Sequence, residues 1–555
     1  MGSNLPLLNI EGLTISSKQS EIISDLNLSI SQNEIVAIVG ESGSGKTLTA
    51  LSILGLLSDS KLSLKSKRMR LNEIDLTNLS AKDWQNIRGK NLGVIFQEPQ
   101  SSLNPTMRCG QQVMERLNKY GVNNKTSHKR KVLEAFENFK LPNPERIFMA
   151  YPHQLSGGQK QRVMITLALI CDPQLLIADE PTTALDVSVQ NEILDLLKNQ
   201  QKTHKMSILF ISHDLSLVAQ FADRVMVMYK GKIIESNKTS QIFKNPKTPY
   251  TNGLISARPK VERRLAYLPT VQDFLLKKNK FEVISSSERK KRHKVIYAKS
   301  PILEVKNLCK EYPLSRYWFN KNEVLKAIKN FSFELYPGET LGLVGESGCG
   351  KSTISRILVK LDTPSSGNIF YEGEEFSKLD RSTLKEIQLV FQDPFAALHP
   401  LINVGKAIEE PLKLNSFPEE KKIVKERVYQ LMEQVGINSK LYYRYPHELS
   451  GGQRQRIVIA RALAVKPKLL ILDEGVAALD LSVQATVLNL LNDLKKKLKL
   501  SYLFISHDLN LVKYFSDRIM VMKNGIMIEQ GEADYLYKNP KNDYTKKLIS
   551  LFPKT

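Results

Sequence analysis

Two glycine-rich segments are the places in this 555-residue chain where phosphate chemistry is easiest to build. One is GESGSGKT at residues 40–47 and the other is GESGCGKS at residues 345–352, and each lies between an apolar run and an apolar helical pattern. Glycines let successive backbone N–H groups and a helix N-terminus face a pair of phosphates, while the lysine adds a point charge. We therefore predict two phosphate-binding loops, each at a turn from strand to helix.

Each loop is followed later by an apolar run that ends in two carboxylates, LLIADE at residues 175–180 and LLILDE at residues 469–474. Such runs are typical of buried parallel strands. We predict that the first carboxylate and the last residue of the loop hold Mg²⁺, and that the second carboxylate orients or deprotonates an attacking water. The metal ligands predicted in this way are Thr47, Asp179, Ser352 and Asp473. The catalytic carboxylates are Glu180 and Glu474.

The scaffold for these residues occurs twice, because the chain is a tandem duplication. LLNIEGL at residues 7–13 returns as ILEVKNL at 302–308, and YPHQLSGGQKQR at 151–162 returns as YPHELSGGQRQR at 445–456. Each copy runs strand, loop, helix, a helical middle and then short apolar strands, which predicts an α/β fold. The predicted domains are residues 1–259 and 301–555, joined by a linker at 260–300.

The linker is strongly basic, with 12 Lys or Arg against 4 Asp or Glu. We interpret it as a solvated connector in preference to a nucleic-acid or lipid-binding patch. The whole chain has a net charge of +23, which indicates an anionic partner such as nucleic acid, an acidic membrane surface or a polyphosphate. An apolar fraction of 42% excludes a disordered or fibrous chain.

Other classes of protein are disfavoured by simple counts. The longest apolar runs fall far short of the roughly 20 residues that cross a bilayer. Four scattered cysteines exclude a disulfide framework, and no CxxC pair is present for zinc. The N-terminus lacks the basic and apolar regions of a secretory signal, so we expect a cytosolic location.

The pentapeptide LSGGQ at residues 155–159 and 449–453, together with the loops and acidic pairs, resembles the ATP-binding-cassette (ABC) ATPases. The resemblance implies two tandem P-loop NTPase domains, each with a mixed sheet core and a helical subdomain, that bind ATP and Mg²⁺. It also implies an intramolecular pseudo-dimer, in which the signature pentapeptide of each cassette completes the ATP pocket of the other. Small residues at a helix N-terminus suit that role because they expose backbone N–H groups to an anion.

The family pattern implies further residue roles. His213 and His507 correspond to the histidine that contacts the γ-phosphate, and Gln97 and Gln392 to the glutamine that senses Mg²⁺ and contacts a membrane partner. An aromatic residue that stacks on adenine is expected before each P-loop; Tyr312 fits in the second copy, but the first has Ser17. The ATP-binding residues implied are Gly40, Glu41, Ser42, Gly43, Ser44, Gly45, Lys46, Thr47, Ser156, Gly157, Gly158, Gln159 and Asp186 in the first copy, and Tyr312, Gly345, Glu346, Ser347, Gly348, Cys349, Gly350, Lys351, Ser352, Ser450, Gly451, Gly452, Gln453 and Asp480 in the second.

Two pairs of segments indicate a branch of the family. FQEPQSSLNP at 96–105 and FQDPFAALHP at 391–400, with the tails KNPKTPYTNGLISARP at 244–259 and KNPKNDYTKKLISLFP at 538–553, resemble the dipeptide, oligopeptide and nickel importer ATPases. The resemblance implies peptide import driven by ATP hydrolysis, with two transmembrane permease subunits and a substrate-binding protein as partners. It further implies a peripheral position at the cytoplasmic face of the inner membrane and no nucleic acid.

Alternatives remain open at this point. The cargo could be nickel, glutathione or an antimicrobial peptide, because cassettes contact the permease and not the cargo. A soluble twin-cassette factor that binds ribosomal RNA would suit the charge of +23. That group has a longer, strongly helical linker, whereas residues 260–300 contain Pro269 and a run of three serines, and it lacks the importer-type tails.

Overall fold

The computed structural model describes residues 6–18, 20–57, 61–96, 102–120, 125–182, 185–259, 263–278, 281–313, 324–415, 421–476 and 479–551. The chain forms two compact units, one of residues 1–255 with 271–277 and the other of residues 256–270 with 278–555. Both are built from mixed sheets and helices, as the α/β prediction requires. Within the described ranges, every helix is too short or too polar to span a bilayer.

Up to residue 277 the regular elements follow the predicted order. The strands are Leu8–Ser16, Glu21–Ile30, Ile35–Val39, Ser63–Lys65, Arg68–Leu71, Ile74–Asp75, Leu92–Ile95, Leu175–Asp179, Ser207–Ile211, Arg224–Tyr229 and Lys232–Lys238. The helices are Lys46–Ile53, Ala81–Lys90, Cys109–Tyr120, Lys125–Asn138, Pro144–Met149, Pro152–Gln154, Gly157–Leu169, Val187–His204, Leu215–Phe221, Thr239–Lys244, Pro249–Ser256 and Val271–Leu275.

The remainder of the chain repeats this order. Its strands are Leu303–Pro313, Val324–Leu335, Thr340–Val344, Ser366–Tyr371, Glu374–Glu375, Ile387–Val390, Leu469–Asp473, Ser501–Ile505, Arg518–Lys523 and Ile526–Glu532. Its helices are Ser286–Tyr297, Lys351–Leu358, Phe376–Lys378, Arg381–Leu384, Pro394–Ala397, Val404–Asn415, Lys421–Gln434, Ser439–Tyr443, Pro446–Glu448, Gly451–Leu463, Leu481–Leu498, Leu509–Phe515, Ala533–Lys538 and Asp543–Ser550.

A central six-stranded sheet positions the site in each unit. In the first unit the strand Ile35–Val39 pairs in parallel with Ser207–Ile211, which pairs in parallel with Leu175–Asp179. All five residues of each of these strands are buried, as their continuous apolar runs predict. Because the carboxyl ends of parallel strands meet at one edge of a sheet, the phosphate loop and the acidic pair lie together there. The second unit has the same strand order.

A second sheet lies in each unit beside the central one. It is antiparallel and begins with a hairpin, Leu8–Ser16 with Glu21–Ile30 in the first unit and Leu303–Pro313 with Val324–Leu335 in the second. The first hairpin pairs as far as Ser16 with Glu21, whereas the second continues to Pro313 with Val324. The two hairpins therefore differ at the tip, where the residue expected to stack on adenine lies.

A helical region follows the central strands and carries the signature pentapeptide. In the first unit it has an apolar core of its own, in which Val113, Phe136 and Val163 are fully buried. These residues come from three different helices, Cys109–Tyr120, Lys125–Asn138 and Gly157–Leu169, so the helices pack against one another as a subdomain.

The interpretation of the basic linker as a solvated connector is wrong at the positions where the linker packs on the second unit, although most of its other described residues are exposed. Arg264 donates to the backbone carbonyl oxygens of Tyr514 and Ser516 at 2.7 and 2.6 Å. Its guanidinium is buried deeply enough to lower its pKa to about 10, despite nearby carboxylates that raise it. The segment therefore has fixed partners in the second unit.

The helix Ser286–Tyr297 extends this attachment. Arg289 is only 7% exposed and forms ion pairs with Glu532, at 2.7 Å, and with Asp534. His293 Nε2 lies 3.3 Å from Asp517 Oδ1, so basic residues one helical turn apart face carboxylates of the second unit. Arg289 and Arg292 of the basic run thus pair with acidic residues that are distant in sequence, whereas Lys290, Lys291 and Lys294 are exposed.

Candidate active site

The first phosphate loop is closed over its own lysine. Lys46 is buried, and its Nζ donates to the carbonyl oxygens of Gly40 at 2.8 Å and Glu41 at 3.0 Å. Gly45, which precedes the helix Lys46–Ile53, has φ 110°, a conformation that favours glycine. A Cβ at Gly40 would lie 2.2 Å from the carbonyl oxygen of Met228, so only glycine fits there. The loop is thus a compact turn against the sheet.

The second loop repeats this geometry. Lys351 Nζ donates to the carbonyl oxygens of Gly345 at 2.7 Å and Glu346 at 2.9 Å. Gly350 has φ 114°, and a Cβ there would lie 2.6 Å from the carbonyl oxygen of Ala327. The remaining loop residues of both copies, including Ser42, Gly43, Ser44, Ser347, Gly348 and Cys349, form the turns between strand and helix.

The second carboxylate of each acidic pair contacts the predicted histidine. His213 Nδ1 lies 3.0 Å from Glu180 Oε1, and His507 Nδ1 lies 3.4 Å from Glu474 Oε2. Both glutamates have φ 49°, in the left-handed region that residues with a Cβ rarely occupy. Each is fixed by its backbone N–H, which donates at 2.9 Å to the carbonyl oxygen of Ile211 or Ile505. The strained backbone aims each carboxylate at its histidine.

In the first copy the carboxylate of Asp179 is buried and suits a cation. Burial raises the pKa of Asp179 to about 6, although a hydrogen bond from Thr47 and the charge of Lys46 oppose the rise. Asp179 Oδ1 is buried, and it has no hydrogen-bond partner among the residues that the structure describes. Carboxylate and hydroxyl oxygens are ligands that Mg²⁺ accepts when substrate phosphates complete its shell. Thr47 and Asp179 therefore fit the predicted ion.

The second copy supports its metal carboxylate with one more hydroxyl. Ser352 Oγ donates to Asp473 Oδ1 at 3.3 Å, and Ser355 Oγ donates to Asp473 Oδ2 at 2.7 Å. Burial raises the pKa of Asp473, and these two hydrogen bonds limit the rise. Ser355 was not predicted from the sequence, where its only signal is that it follows Ser352 by three residues on the same helix. At its equivalent position the first copy has Ala50.

Glu474 lies at the centre of the second site. Gln392 Nε2 donates to Glu474 Oε2 at 2.7 Å, and Lys351 Nζ lies 4.0 Å from Glu474 Oε1. Burial alone would raise the pKa of Glu474, but the hydrogen bond and charge of His507 and the charge of Lys351 outweigh it and lower the pKa. The carboxylate is therefore ionised at neutral pH and can accept a proton.

An open cleft of about 610 Å³ joins these residues in the second unit. It is lined by Tyr312, Leu325, Lys326, Ala327, Lys329, Ser347, Gly348, Gly350, Lys351, Ser352, Thr353, Gln392, Glu474, Asn524 and Gly525. Tyr312 lies in the part of the hairpin that the first unit lacks, paired with Leu325. Its hydroxyl donates to Asp362 at 2.5 Å, which fixes the ring at the cleft wall. Such a ring can stack on a base.

The first unit has no aromatic residue at this hairpin position. Ser17 follows the last residue of its strand, and its hydroxyl donates to the carbonyl oxygen of Ser20 at 3.1 Å. The serine therefore belongs to a tight turn and not to an extended strand pair. The sequence difference between Ser17 and Tyr312 is thus a difference in backbone path as well as in side chain.

The signature pentapeptides form the same cap on two helices. Ser156 caps the helix Gly157–Leu169 by accepting from the Gln159 N–H at 3.3 Å, and Gln159 Oε1 accepts from the Ser156 N–H at 3.1 Å. Ser450 and Gln453 repeat both bonds, at 3.3 and 3.0 Å. The first backbone N–H groups of a helix have no acceptor within the helix. Because two glycines without side chains begin each of these helices, their N–H groups are accessible to an anion. These glycines are Gly157 and Gly158, and Gly451 and Gly452.

Asp186 and Asp480 are the N-cap residues of the helices Val187–His204 and Leu481–Leu498. Their backbone carbonyl oxygens accept from Gln190 and Gln484, each at 2.8 Å. The remaining predicted residue, Gln97, lies outside the described residues.

Each unit thus contains a loop lysine, a hydroxyl next to a buried aspartate, and a glutamate fixed by a histidine. A lysine and loop N–H groups bind phosphate oxygens, the hydroxyl and aspartate suit a divalent cation, and the glutamate can take a proton from water. This set is suited to hydrolysis of a nucleoside triphosphate.

Comparison with known proteins agrees with this chemistry. The family model described as "ABC transporter" matches residues 23–183 and 328–477, once in each half. A second model, "Oligopeptide/dipeptide transporter, C-terminal region", matches residues 234–278 and 528–555. The two tails that resemble importer ATPases, residues 244–259 and 538–553, lie entirely within the ranges that this second model matches.

Curated relatives match along the whole chain. The glutathione import ATP-binding proteins GsiA of Salmonella typhimurium (strain LT2) and Escherichia coli (strain K12) are each 40% identical to it, over 99% of this chain and 89% of theirs. A solved bacterial ABC transporter cassette, MJ0796, is 28% identical with a TM-score of 0.38, covering 42% of this chain and 98% of its own. The chain therefore belongs to the ABC transporter family, as an ATP-hydrolysing protein with two cassettes and the tails of its oligopeptide/dipeptide branch.

Proposed function

We propose that the protein energises a peptide-type importer from the cytoplasmic face of the inner membrane, where it binds two permease subunits that work with a substrate-binding protein. The observation that carries this proposal is the pairing of two intact ATPase sites with two tails of the oligopeptide/dipeptide type. The proposed domains are residues 1–259 and 301–555. A protein with this function needs no bilayer-spanning helix of its own, because the permease supplies the path.

In the proposed mechanism each residue of the site has one task. Lys46 and Lys351 leave their loop carbonyls to bind the phosphates of ATP, and the loop N–H groups hold the phosphate oxygens. Glu474 accepts the proton of the attacking water, and His507 fixes the orientation of that carboxylate. Mg²⁺, held by Thr47 with Asp179 and by Ser352 with Asp473, would neutralise charge on the phosphates.

We further propose that each signature pentapeptide completes the pocket of the other cassette. The support for this proposal is the capped, glycine-led helix N-terminus in each unit, together with family membership. Closure of the cassettes around two ATP molecules would then drive the permease, through the loops that follow Gln97 and Gln392. Hydrolysis would reset the pair.

Glutathione and short peptides are the cargoes that the similarities favour. The named relatives import glutathione, which is itself a small peptide, and the tails match an oligopeptide/dipeptide transporter region. The experiment is uptake of labelled glutathione, a labelled dipeptide and nickel by a strain that lacks this gene. Complementation with the wild type should restore uptake of a peptide, and the Glu180→Gln/Glu474→Gln variant at equal expression is the control. Uptake restored equally by both would contradict the proposal.

A ribosome-associated function is the second candidate, because the net charge of +23 suits an RNA partner. Three of the twelve basic linker residues, Arg264, Arg289 and Arg292, are paired internally with Asp517, Glu532 and Asp534, which removes their charge from that argument. Copurification distinguishes the two candidates. Recovery with hydrophobic permease subunits from a detergent extract supports transport, and recovery with ribosomes at physiological salt contradicts it.

A further inference from the structure

A tyrosine of the C-terminal tail reaches the phosphate loop in each unit. In the first, Tyr250 lies on the helix Pro249–Ser256 and is only 2% exposed. Its hydroxyl accepts a hydrogen bond from the backbone N–H of Glu41 at 3.1 Å, across 209 positions of sequence. In the second unit the Tyr544 hydroxyl accepts from the Glu346 N–H at 3.4 Å. The contact is therefore part of the duplicated design.

The tyrosine and the loop lysine hold the same peptide plane from opposite sides. The Glu41 N–H and the Gly40 carbonyl belong to one peptide unit, and that carbonyl accepts from Lys46 Nζ at 2.8 Å. Because a trans peptide is planar, its N–H and C=O point in opposite directions and rotate together. Tyr250 thus fixes the orientation of the first peptide of the loop, against which the lysine rests.

A carboxylate on the sheet fixes the tail just before the tyrosine. Glu235 Oε1 accepts from the Lys247 N–H at 2.9 Å, and Glu235 Oε2 accepts from the Thr248 N–H at 3.2 Å. In the second unit Glu529 accepts from the Lys541 and Asn542 N–H groups at 2.9 and 3.1 Å. Both units keep this pair of hydrogen bonds although the second donor residue changes from threonine to asparagine, because the donors are backbone N–H groups.

In the first unit the tail tyrosine also packs against another aromatic ring, and in the second unit a lysine takes the place of that ring. The rings of Tyr250 and Tyr229 lie 4.2 Å apart between centroids. At the position equivalent to Tyr229 the second unit has Lys523, whose Nζ lies 4.7 Å from the ring centroid of Tyr544. The packing partner varies, whereas the bond from the loop to the tyrosine hydroxyl is retained.

We propose that Tyr250 and Tyr544 are positioning residues of the two ATP sites, which hold the first peptide of each phosphate loop in the orientation that receives the triphosphate. The tails of the oligopeptide/dipeptide branch are then parts of the ATP sites. Movement of a tail would change the affinity of its loop for ATP. This inference rests on the ATP-binding role of the two loops.

Hydrogen exchange tests the contact in each site separately. In the full chain without nucleotide, Tyr250→Phe should accelerate amide exchange of the peptide that covers residues 40–47, and Tyr544→Phe that of residues 345–352. One neutral hydrogen bond lost corresponds to roughly three- to tenfold faster opening. Tyr229→Phe is the matched control, because it removes a hydroxyl from the same aromatic pair. Unchanged exchange in the loop of each Phe variant would overturn the proposal.

Nucleotide measurements separate positioning from simple packing. Tyr250→Phe/Tyr544→Phe should raise the KM for ATP roughly three- to tenfold with kcat within about twofold, and should reduce the rise in Tm caused by ATP. Glu235→Gln, which keeps one acceptor, should shift KM in the same direction and serves if the tyrosine variants fold poorly. If the KM for ATP of Tyr250→Phe/Tyr544→Phe equals that of Tyr229→Phe, the inference is overturned. Absence of any ATP-dependent Tm rise in the wild type would instead contradict the proposed function.

Discussion

The two cassettes place the same chemical groups at the same edge of the same sheet, but they differ in what surrounds those groups. The second holds Tyr312 on an extended hairpin beside its cleft, where the first has Ser17 in a turn. The second supports Asp473 with Ser355, where the first has Ala50 and an Asp179 oxygen without a partner among the described residues. The duplication has preserved the residues that we propose to act on phosphate, and it has changed the residue expected to stack on the base and the one beside the proposed metal carboxylate.

The linker provides a third difference. Its arginines attach to the second unit through Glu532 and Asp534, whereas the first unit has Lys238 and Ser240 at the equivalent positions. A lysine there would repel an arginine, so these two attachment points are specific to the second unit. The second cassette is therefore stabilised by a segment that the first does not use in this way.

The largest effect is expected from the catalytic carboxylates. In a Glu180→Gln background, Glu474→Gln should lower the remaining kcat for ATP hydrolysis by about 10²- to 10⁴-fold, because it removes the last proton acceptor while keeping the shape of the side chain. The affinity for ATP should stay near that of the wild type. Glu180→Gln is the matched variant. If the first site is as competent as the second, each single variant loses the same share of turnover; turnover in the double variant equal to that of Glu180→Gln alone would refute the role given to Glu474.

Loss of the linker attachment should destabilise the second unit alone. Arg289→Ala removes the buried partner of Glu532 and one of the three cations beside Asp534, which should cost about 2 kcal/mol of unfolding free energy. Chemical denaturation with a probe in each unit measures the change. Lys291→Ala, on an exposed position of the same helix, is the control and should change stability by less than about 0.5 kcal/mol. Equal effects of the two variants would show that the attachment contributes nothing.

The serine that supports Asp473 can be exchanged between the cassettes. Ser355→Ala should lower the unfolding free energy by about 2 kcal/mol, since it removes a hydrogen bond to a buried carboxylate. Ala50→Ser should stabilise the first unit by up to about 1 kcal/mol, because it offers a donor near Asp179. Thermal unfolding without metal or nucleotide measures both. A loss of stability in Ala50→Ser would show that the first site has no room for the hydroxyl.

The smallest effect is expected from the side chain that would stack on the adenine base of ATP. Tyr312→Ala should weaken ATP binding by about 1 kcal/mol, close to fivefold, through lost stacking, whereas Ser17→Ala should leave affinity unchanged. Titration with a fluorescent ATP analogue measures the difference. Ser17→Tyr is a further check, and the turn at Ser17 predicts little gain from it. Equal losses in the two alanine variants would remove this distinction between the sites.

Short motifs in the sequence were sufficient to predict where several candidate site residues lie in the fold. Lys46, Lys351, Asp473, Glu474 and His507 lie where strand ends and loop glycines predicted them, because local patterns determine those turns. The contacts that sequence reasoning missed join residues far apart along the chain. Tyr250 and Glu41 are 209 positions apart, and no local pattern states that a tail helix packs on a loop. The linker was misjudged for the same reason, since its carboxylate partners lie more than 200 positions away.

The central claim is that both cassettes bind ATP and that each is completed by the signature of the other. The most direct measurement is the number of ATP molecules that the Glu180→Gln/Glu474→Gln variant retains per chain after gel filtration. The account predicts two, and predicts one when Ser450→Arg is added. Retention of a single ATP by the first variant, or of two ATP molecules despite Ser450→Arg, would contradict it.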